Sequence, residues 1–155
     1  MKRLLLLLMI VPMIGFGQTA KEYFDKGYDY DNEGEYQLAI DNYTKAIKID
    51  PDYVIAYSFR GFAYAELENY EDAISDYTRA IRIDPNDAFS YSSRGSAYSY
   101  LGEYDDAIAD YTRAIKVDSE YKYAYRNRAD LYSDLENYED AISDYTRAIE
   151  LDPEY

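Results

Sequence analysis

Asn69–Ile81 reads NYEDAISDYTRAI, and the same thirteen residues return unchanged at Asn137–Ile149. Between them, Glu103–Ile115 carries the variant EYDDAIADYTRAI, and Glu35–Ile47 carries EYQLAIDNYTKAI. Tyr36, Tyr70, Tyr104 and Tyr138 are thus each thirty-four residues apart. A fixed period of this length marks a stack of repeats, each too small to bury its own apolar face. Within the block, Tyr70, Ala73, Ile74, Tyr77, Ala80 and Ile81 fall at helical spacing and form one apolar stripe. Asp84-Pro85 ends that helix, because proline disfavours helical geometry in the residue before it.

Upstream, Tyr57, Gly61 and Tyr64 make a second helical stripe, and Asn69 lies in the short turn between the two. Each unit therefore reads as two antiparallel helices. From Ala20 the chain divides without remainder into 20–53, 54–87, 88–121 and 122–155. Small residues recur where backbones must approach: Gly27, Gly61, Gly95 and Ala129 in the first helices, and Ala39, Ala73, Ala107 and Ala141 in the second. A mid-helix glycine costs about 1 kcal/mol relative to alanine, so its return implies compensation by close packing. Pro51, Pro85 and Pro153 close three units, while Ser119 takes that place in the third, which predicts a slightly looser junction between repeats three and four.

The register Tyr57, Gly61, Tyr64, Ala73, Tyr77, Ala80, Pro85, recurring four times over residues 20–155, resembles the tetratricopeptide repeat family. That resemblance implies an all-α, right-handed α-solenoid of four helix-turn-helix units acting as a non-catalytic scaffold. The family's usual leucine before the glycine is replaced by Lys26, Arg60, Arg94 and Arg128. The arginines precede Asp76, Asp110 and Asp144 by sixteen positions, and Lys26 precedes Asn42. Two readings fit: a half-buried guanidinium–carboxylate pair tying helices together, or an exposed arginine bordering the groove.

The resemblance also implies a concave surface lined by the first helices. Carried over position by position, it includes Phe24 and Tyr28, then Ile55, Ser58 and Phe62, then Phe89, Ser92 and Ser96, then Tyr123 and Arg126. Aromatic side chains at a partly polar site are frequent binding hot spots. Co-chaperone members of the family clamp a carboxy-terminal carboxylate with Lys, Asn and Arg. The corresponding places here hold Phe24, Tyr28, Phe59, Ser58, Phe62 and Ser93, so that clamp is absent.

Composition narrows the chemistry. The 155 residues include 22 Tyr but no Cys and no His, which removes disulfides, thiolate metal sites, cysteine nucleophiles and imidazole bases. Asp29–Gly34 imitates the start of a calcium loop, yet its twelfth position, where a bidentate glutamate belongs, is Ile40. No cofactor and no catalytic site are predicted. The net charge of −15 argues against nucleic acid, whose affinity depends on neutralising phosphates, and permits a basic protein or peptide partner.

Lys2 and Arg3 precede an apolar run, Leu4–Ile14, followed by Gly15, Phe16 and Gly17. Those are the parts of a secretory signal, with cleavage expected after Gly17. The run is shorter than the roughly 20 residues a spanning helix needs, so no stable membrane insertion is predicted after cleavage; an uncleaved anchor is the alternative. A cysteine-free exported chain fits a periplasmic or secreted protein. The last repeat has no evident polar cap, leaving Tyr145, Ala148 and Ile149 as a surface for a homodimer or a partner. The functional expectation is an exported scaffold for protein–protein interaction. The alternatives are a self-assembling module or a regulatory subunit of an exported enzyme complex.

Overall fold

The computed structural model describes residues 18–153; the expected signal segment, 1–17, lies outside them. The described residues form α1 (Ala20–Asn32), α2 (Tyr36–Ile49), α3 (Val54–Glu66), α4 (Tyr70–Ile83), α5 (Ala88–Tyr100), α6 (Tyr104–Val117), α7 (Lys122–Asp134) and α8 (Tyr138–Leu151). Consecutive helices pack as four hairpins, and each hairpin stacks on the next. The odd helices also touch one another, α1 to α3, α3 to α5 and α5 to α7, whereas no two even helices meet among the described residues. Hairpins whose first helices converge and whose second helices diverge make a curved stack, with the odd helices on its inner side.

Local signals set the helix ends. Thr19 and Glu22 form a reciprocal capping box at the start of α1. Asn69 and Asp87 accept backbone N–H groups at the starts of α4 and α5. The turns inside the hairpins need one left-handed residue, supplied by Gly34 (φ 76°), Glu68 (59°), Gly102 (79°) and Glu136 (60°). Glycine takes that conformation freely, whereas a side chain there is strained. Between hairpins, Asp50, Asp84 and Asp118 are extended and accept the backbone N–H two residues on, at 3.1, 2.9 and 2.9 Å. This aspartate turn forms with or without a following proline. Ser119 therefore leaves the connection intact, although the α6–α7 junction is the least extensive of the three.

The core is built from tyrosine rings laid over glycines. Tyr43, Tyr77 and Tyr111 are almost wholly buried. A Cβ added at Gly27, Gly61 or Gly95 would lie 2.7, 3.0 or 2.9 Å from the ring of Tyr43, Tyr77 or Tyr111 respectively. Those glycines are steric requirements of the rings, which is the compensation the sequence pattern implied. In the fourth repeat, Ala129 replaces glycine and its ring partner Tyr145 is only half-buried.

The arginines before the glycines are clips. Arg60 donates through Nε and Nη2 to both oxygens of Asp76, at 2.6 and 2.7 Å, and through Nη1 to Thr44 Oγ1 of the preceding repeat at 2.9 Å. Arg94 bonds Asp110 and Thr78 in the same way, and Arg128 bonds Asp144 and Thr112. One planar guanidinium thus joins three helices of two repeats, a geometry that a lysine ammonium does not reproduce. Burial opposes the Arg60 charge, and Asp76 outweighs it, so the guanidinium stays above its ordinary pKa. Burial also pushes Asp76 up while Arg60 pulls it back; with both bonds short and bidentate, the ionised pair is the state we assign. The paired reading of the arginines holds and the exposed one does not. Repeat one has no clip: Asn42 donates to Leu38 O, and Lys26 lies over the Tyr30 ring.

Candidate functional site

The inner side carries three neighbouring depressions. The first, of about 390 Å³, lies between α3 and α5 and is lined by Phe62, Glu66, Tyr70, Tyr77, Ser93, Ser96 and Tyr100, among others. The second, of about 210 Å³, shares Ser96 and Tyr100 with it and adds Tyr111, Asn127, Asp130 and Asp134. The third, of about 460 Å³, is more apolar and is formed by Val54, Ile55, Ser58, Phe59, Asp84, Asn86, Asp87 and Phe89. None of the three is lined by Lys or Arg, while Glu66, Glu68, Asp84, Asp87, Asp130 and Asp134 all contribute.

The candidate residues read from the sequence divide into four groups. Phe62 and Ser96 line the first depression, and Ile55 and Phe89 the third. Tyr28, Tyr123 and Arg126 are exposed, Tyr123 with its ring 5.5 Å from Tyr121 and Arg126 ion-paired to Asp130 at 3.6 Å. Phe24 is a junction residue, its ring 5.5 Å from Tyr43 and Tyr53 and 5.6 Å from Phe59. Ser58 and Ser92 are buried, and Ser58 Oγ bonds Ser90 at 2.8 Å and Asp87 at 3.0 Å. Ser58 also lines the third depression, and Ser92 accepts through its backbone carbonyl from Ser96 Oγ at 3.2 Å.

Two aromatic features were not among the candidates. Phe59 is the hub of the first two repeats, with rings of Phe24, Tyr28 and Phe89 all within 6 Å. Tyr70 and Tyr100 stack face to face at 4.9 Å across repeats two and three, and Tyr100 is 73% exposed. A stacked, solvent-facing ring pair at the mouth of a pocket offers a large apolar contact with little side-chain entropy to lose. Tyr70 belongs to the period, but neither Phe59 nor Tyr100 repeats as an aromatic: the places matching Phe59 hold Asp25, Ser93 and Asn127, and those matching Tyr100 hold Asn32, Glu66 and Asp134.

The amino-terminal end of the inner side is electrostatically loaded. Asp31 Oδ1 and the Tyr43 hydroxyl are both buried without a hydrogen-bond partner. Burial, then the charge of Glu66, pushes the Asp31 carboxyl up to about 6. A carboxyl raised in the folded state binds its proton more tightly there than in the unfolded chain. Ionised Asp31 therefore destabilises the fold at neutral pH, and that penalty disappears as pH falls through 6 towards the unfolded value near 4. Asp31→Asn is expected to be more stable than the parent at pH 7, with the gap shrinking by pH 5 in matched urea titrations. A gap independent of pH would remove this assignment. Asp29 and Asp31 lie on α1, not in a loop, and no cluster of three metal-ligating side chains occurs among the described residues.

Sequence profiles described as tetratricopeptide repeat match residues 54–87, 76–109 and 93–155, and a TPR repeat profile matches 21–68. Among solved structures, the first TPR of Spaghetti (RPAP3) bound to the HSP90 peptide SRMEEVD is 30% identical with a TM-score of 0.73, covering 76% of this chain and 94% of that one. MamA protein is 28% identical with a TM-score of 0.75, covering 86% of this chain and 73% of that one. MamA from Desulfovibrio magneticus RS-1, at 21% identity and a TM-score of 0.77 over 87% of this chain and 76% of that one, shows the shared fold. A search of curated proteins gives no significant match.

Proposed function

The chain belongs to the tetratricopeptide repeat family, and from that premise we propose that it is an exported scaffold whose inner groove docks a basic, aromatic-bearing protein segment. The observation that carries the reading is the lining of the three depressions: aromatic walls, six carboxylates and no Lys or Arg. The RPAP3 relative holds SRMEEVD, a peptide with three acidic residues. Here the depressions are themselves acidic, so the same docking mode favours ligands of the opposite sign. Export rests on the Lys2–Gly17 pattern, and mass measurement of the amino terminus of fractionated protein tests it.

The binding test uses two labelled peptides of equal length, one alternating Lys with Phe or Tyr and the other SRMEEVD. The basic peptide is expected to bind with salt-sensitive affinity and the acidic one not at all. Phe62→Ala combined with Tyr100→Ala is expected to weaken the basic peptide by at least about tenfold, one hot-spot residue being worth roughly 1–2 kcal/mol or more. Equal binding by parent and double variant would defeat the groove reading. A preference for the acidic peptide would defeat its polarity.

A further inference from the structure

Three acceptors from three helices meet in the first two repeats with no cation among them. Asp31 of α1 and Tyr43 of α2 each bury an oxygen that has no hydrogen-bond partner, and Tyr43 is 0% exposed. Glu66 of α3 lines the first depression and accepts from the Tyr36 hydroxyl at 3.2 Å. The three heads lie close enough to act on one another. After burial, Glu66 raises the Asp31 carboxyl, and after burial, Asp31 and then Tyr28 raise the Tyr43 hydroxyl. Tyr36 is raised by Glu66 first, with Asp31 adding to it, and burial raises Tyr77 of α4, with both carboxylates adding to it. No Lys or Arg among the described residues forms an ion pair with Asp31 or Glu66. Lys26, the last basic residue of α1, lies over the Tyr30 ring.

Stacking does not require this arrangement. The places matching Asp31 hold Ala65, Ser99 and Ser133. In later repeats the core tyrosine's hydroxyl is satisfied: Tyr111 donates to Ser96 at 3.2 Å and Tyr145 to Asp130 at 2.5 Å. In the first repeat that acceptor's place holds Tyr28, and Tyr43 goes without. A buried carboxylate and a buried hydroxyl left unpartnered both weaken the fold. One cation bearing several N–H groups would satisfy both at once.

Acceptors arriving from three helices suit a compact head with three rotatable N–H groups, which is an ammonium. A guanidinium fork instead takes both oxygens of one carboxylate, as Arg60 takes those of Asp76. Tyr28 and Glu66 are exposed side chains, free to swing aside for a slim alkyl stem.

We propose that Asp31, Tyr43 and Glu66 form a pocket for a primary alkylammonium group, filled by a lysine side chain of the segment docked in the groove. The lysine rests on the groove reading above; the pocket does not. Asp31 must be ionised to hold the cation. With its carboxyl raised to about 6, affinity falls as pH drops through 6, and binding there releases a proton.

The test follows the Asp31 carboxyl carbon by NMR in the full-length protein, with n-butylammonium, n-butylguanidinium or sodium chloride at equal ionic strength. At roughly 0.1 M, butylammonium is expected to lower the Asp31 midpoint by at least about half a pH unit relative to sodium, as linkage requires of a cation held by the ionised form. Butylguanidinium should move it less, and Tyr43→Phe should shrink the butylammonium effect. Acetyl-capped peptides alternating Lys or Arg with Phe then read the lysine. The Lys peptide should bind the parent at least about fivefold tighter, and Asp31→Asn should erase that preference. A midpoint that moves no more with butylammonium than with sodium, or moves equally with butylguanidinium, overturns the pocket; if the peptides still bind, the groove reading survives. A lowered midpoint with neither peptide binding keeps the pocket and defeats the groove. Equal binding of the two peptides, or an Arg peptide whose uncapped amino terminus restores the affinity, overturns the lysine assignment.

Discussion

Arg60→Ala is expected to lower the unfolding free energy by about 3–5 kcal/mol, the range for removing one partner of a buried ion pair. Asp76 is 5% exposed, and Arg60 is the one cation bonded to it among the described residues. Without the guanidinium, the carboxylate keeps its burial and loses both hydrogen bonds, and Thr44 loses its donor across the repeat junction. The matched change in repeat three should be milder, because Asp110 also receives Arg113 at 3.0 Å. Arg60→Met with Asp76→Leu should recover most or all of the loss, since two apolar groups leave no charge stranded. Urea denaturation of the single and double variants decides it. A single variant within about 1 kcal/mol of the parent would mean that the clip is incidental to stability.

Tyr77→Ala is expected to cost a similar amount, about 3–5 kcal/mol, as for other large-to-small changes in a core. The ring is 1% exposed, lies against Gly61 and meets Phe89 edge-on at 6.4 Å. Gly61 has no side chain with which to fill the space, so the site collapses poorly. Tyr77 also lines the first depression, so its loss should damage ligand binding together with stability. Tyr145→Ala provides the internal comparison. Its ring is half-buried at the open end and hydrogen-bonds Asp130 at 2.5 Å, so roughly half the cost is expected. Equal losses in denaturant titrations of the two variants would contradict the burial gradient along the stack.

What was legible in the sequence follows from what repeats. Tyr77 and Gly61 recur in register because a ring that closes one hairpin demands the same hollow in the next, so helix pairing and core residues could be read directly. Arg60 and Asp76 also recur, and a constant separation of sixteen residues makes the pair one of two readings, which the structure decides. Thr44, the third member, recurs in every repeat too, but its role is not apparent from sequence because its partner belongs to the following repeat. Ser58 and Ser92 belong to the groove by register alone; both are buried, and Ser58 bonds Ser90 while still lining the third depression. Phe59 and Tyr100 escape a reading by period for the opposite reason, since an aromatic occurs only once at each place. Glu68 and Glu136 occupy left-handed turns that glycine fills in the other two repeats, a strain that composition does not reveal.

Each clip points the same way: an arginine reaches back to a threonine that comes earlier in the chain, never forward. The stack therefore has a direction of growth. When a polypeptide emerges amino end first, segments already out can fold before the rest follows. A new hairpin here finds its threonine acceptor in place and brings its own arginine to lock on. Nothing laid down earlier has to wait for a later residue to complete its internal ion pair. The chain order Thr44, Arg60, Asp76 thus lets each clip close as soon as its own hairpin is complete, an order compatible with vectorial addition of one hairpin at a time.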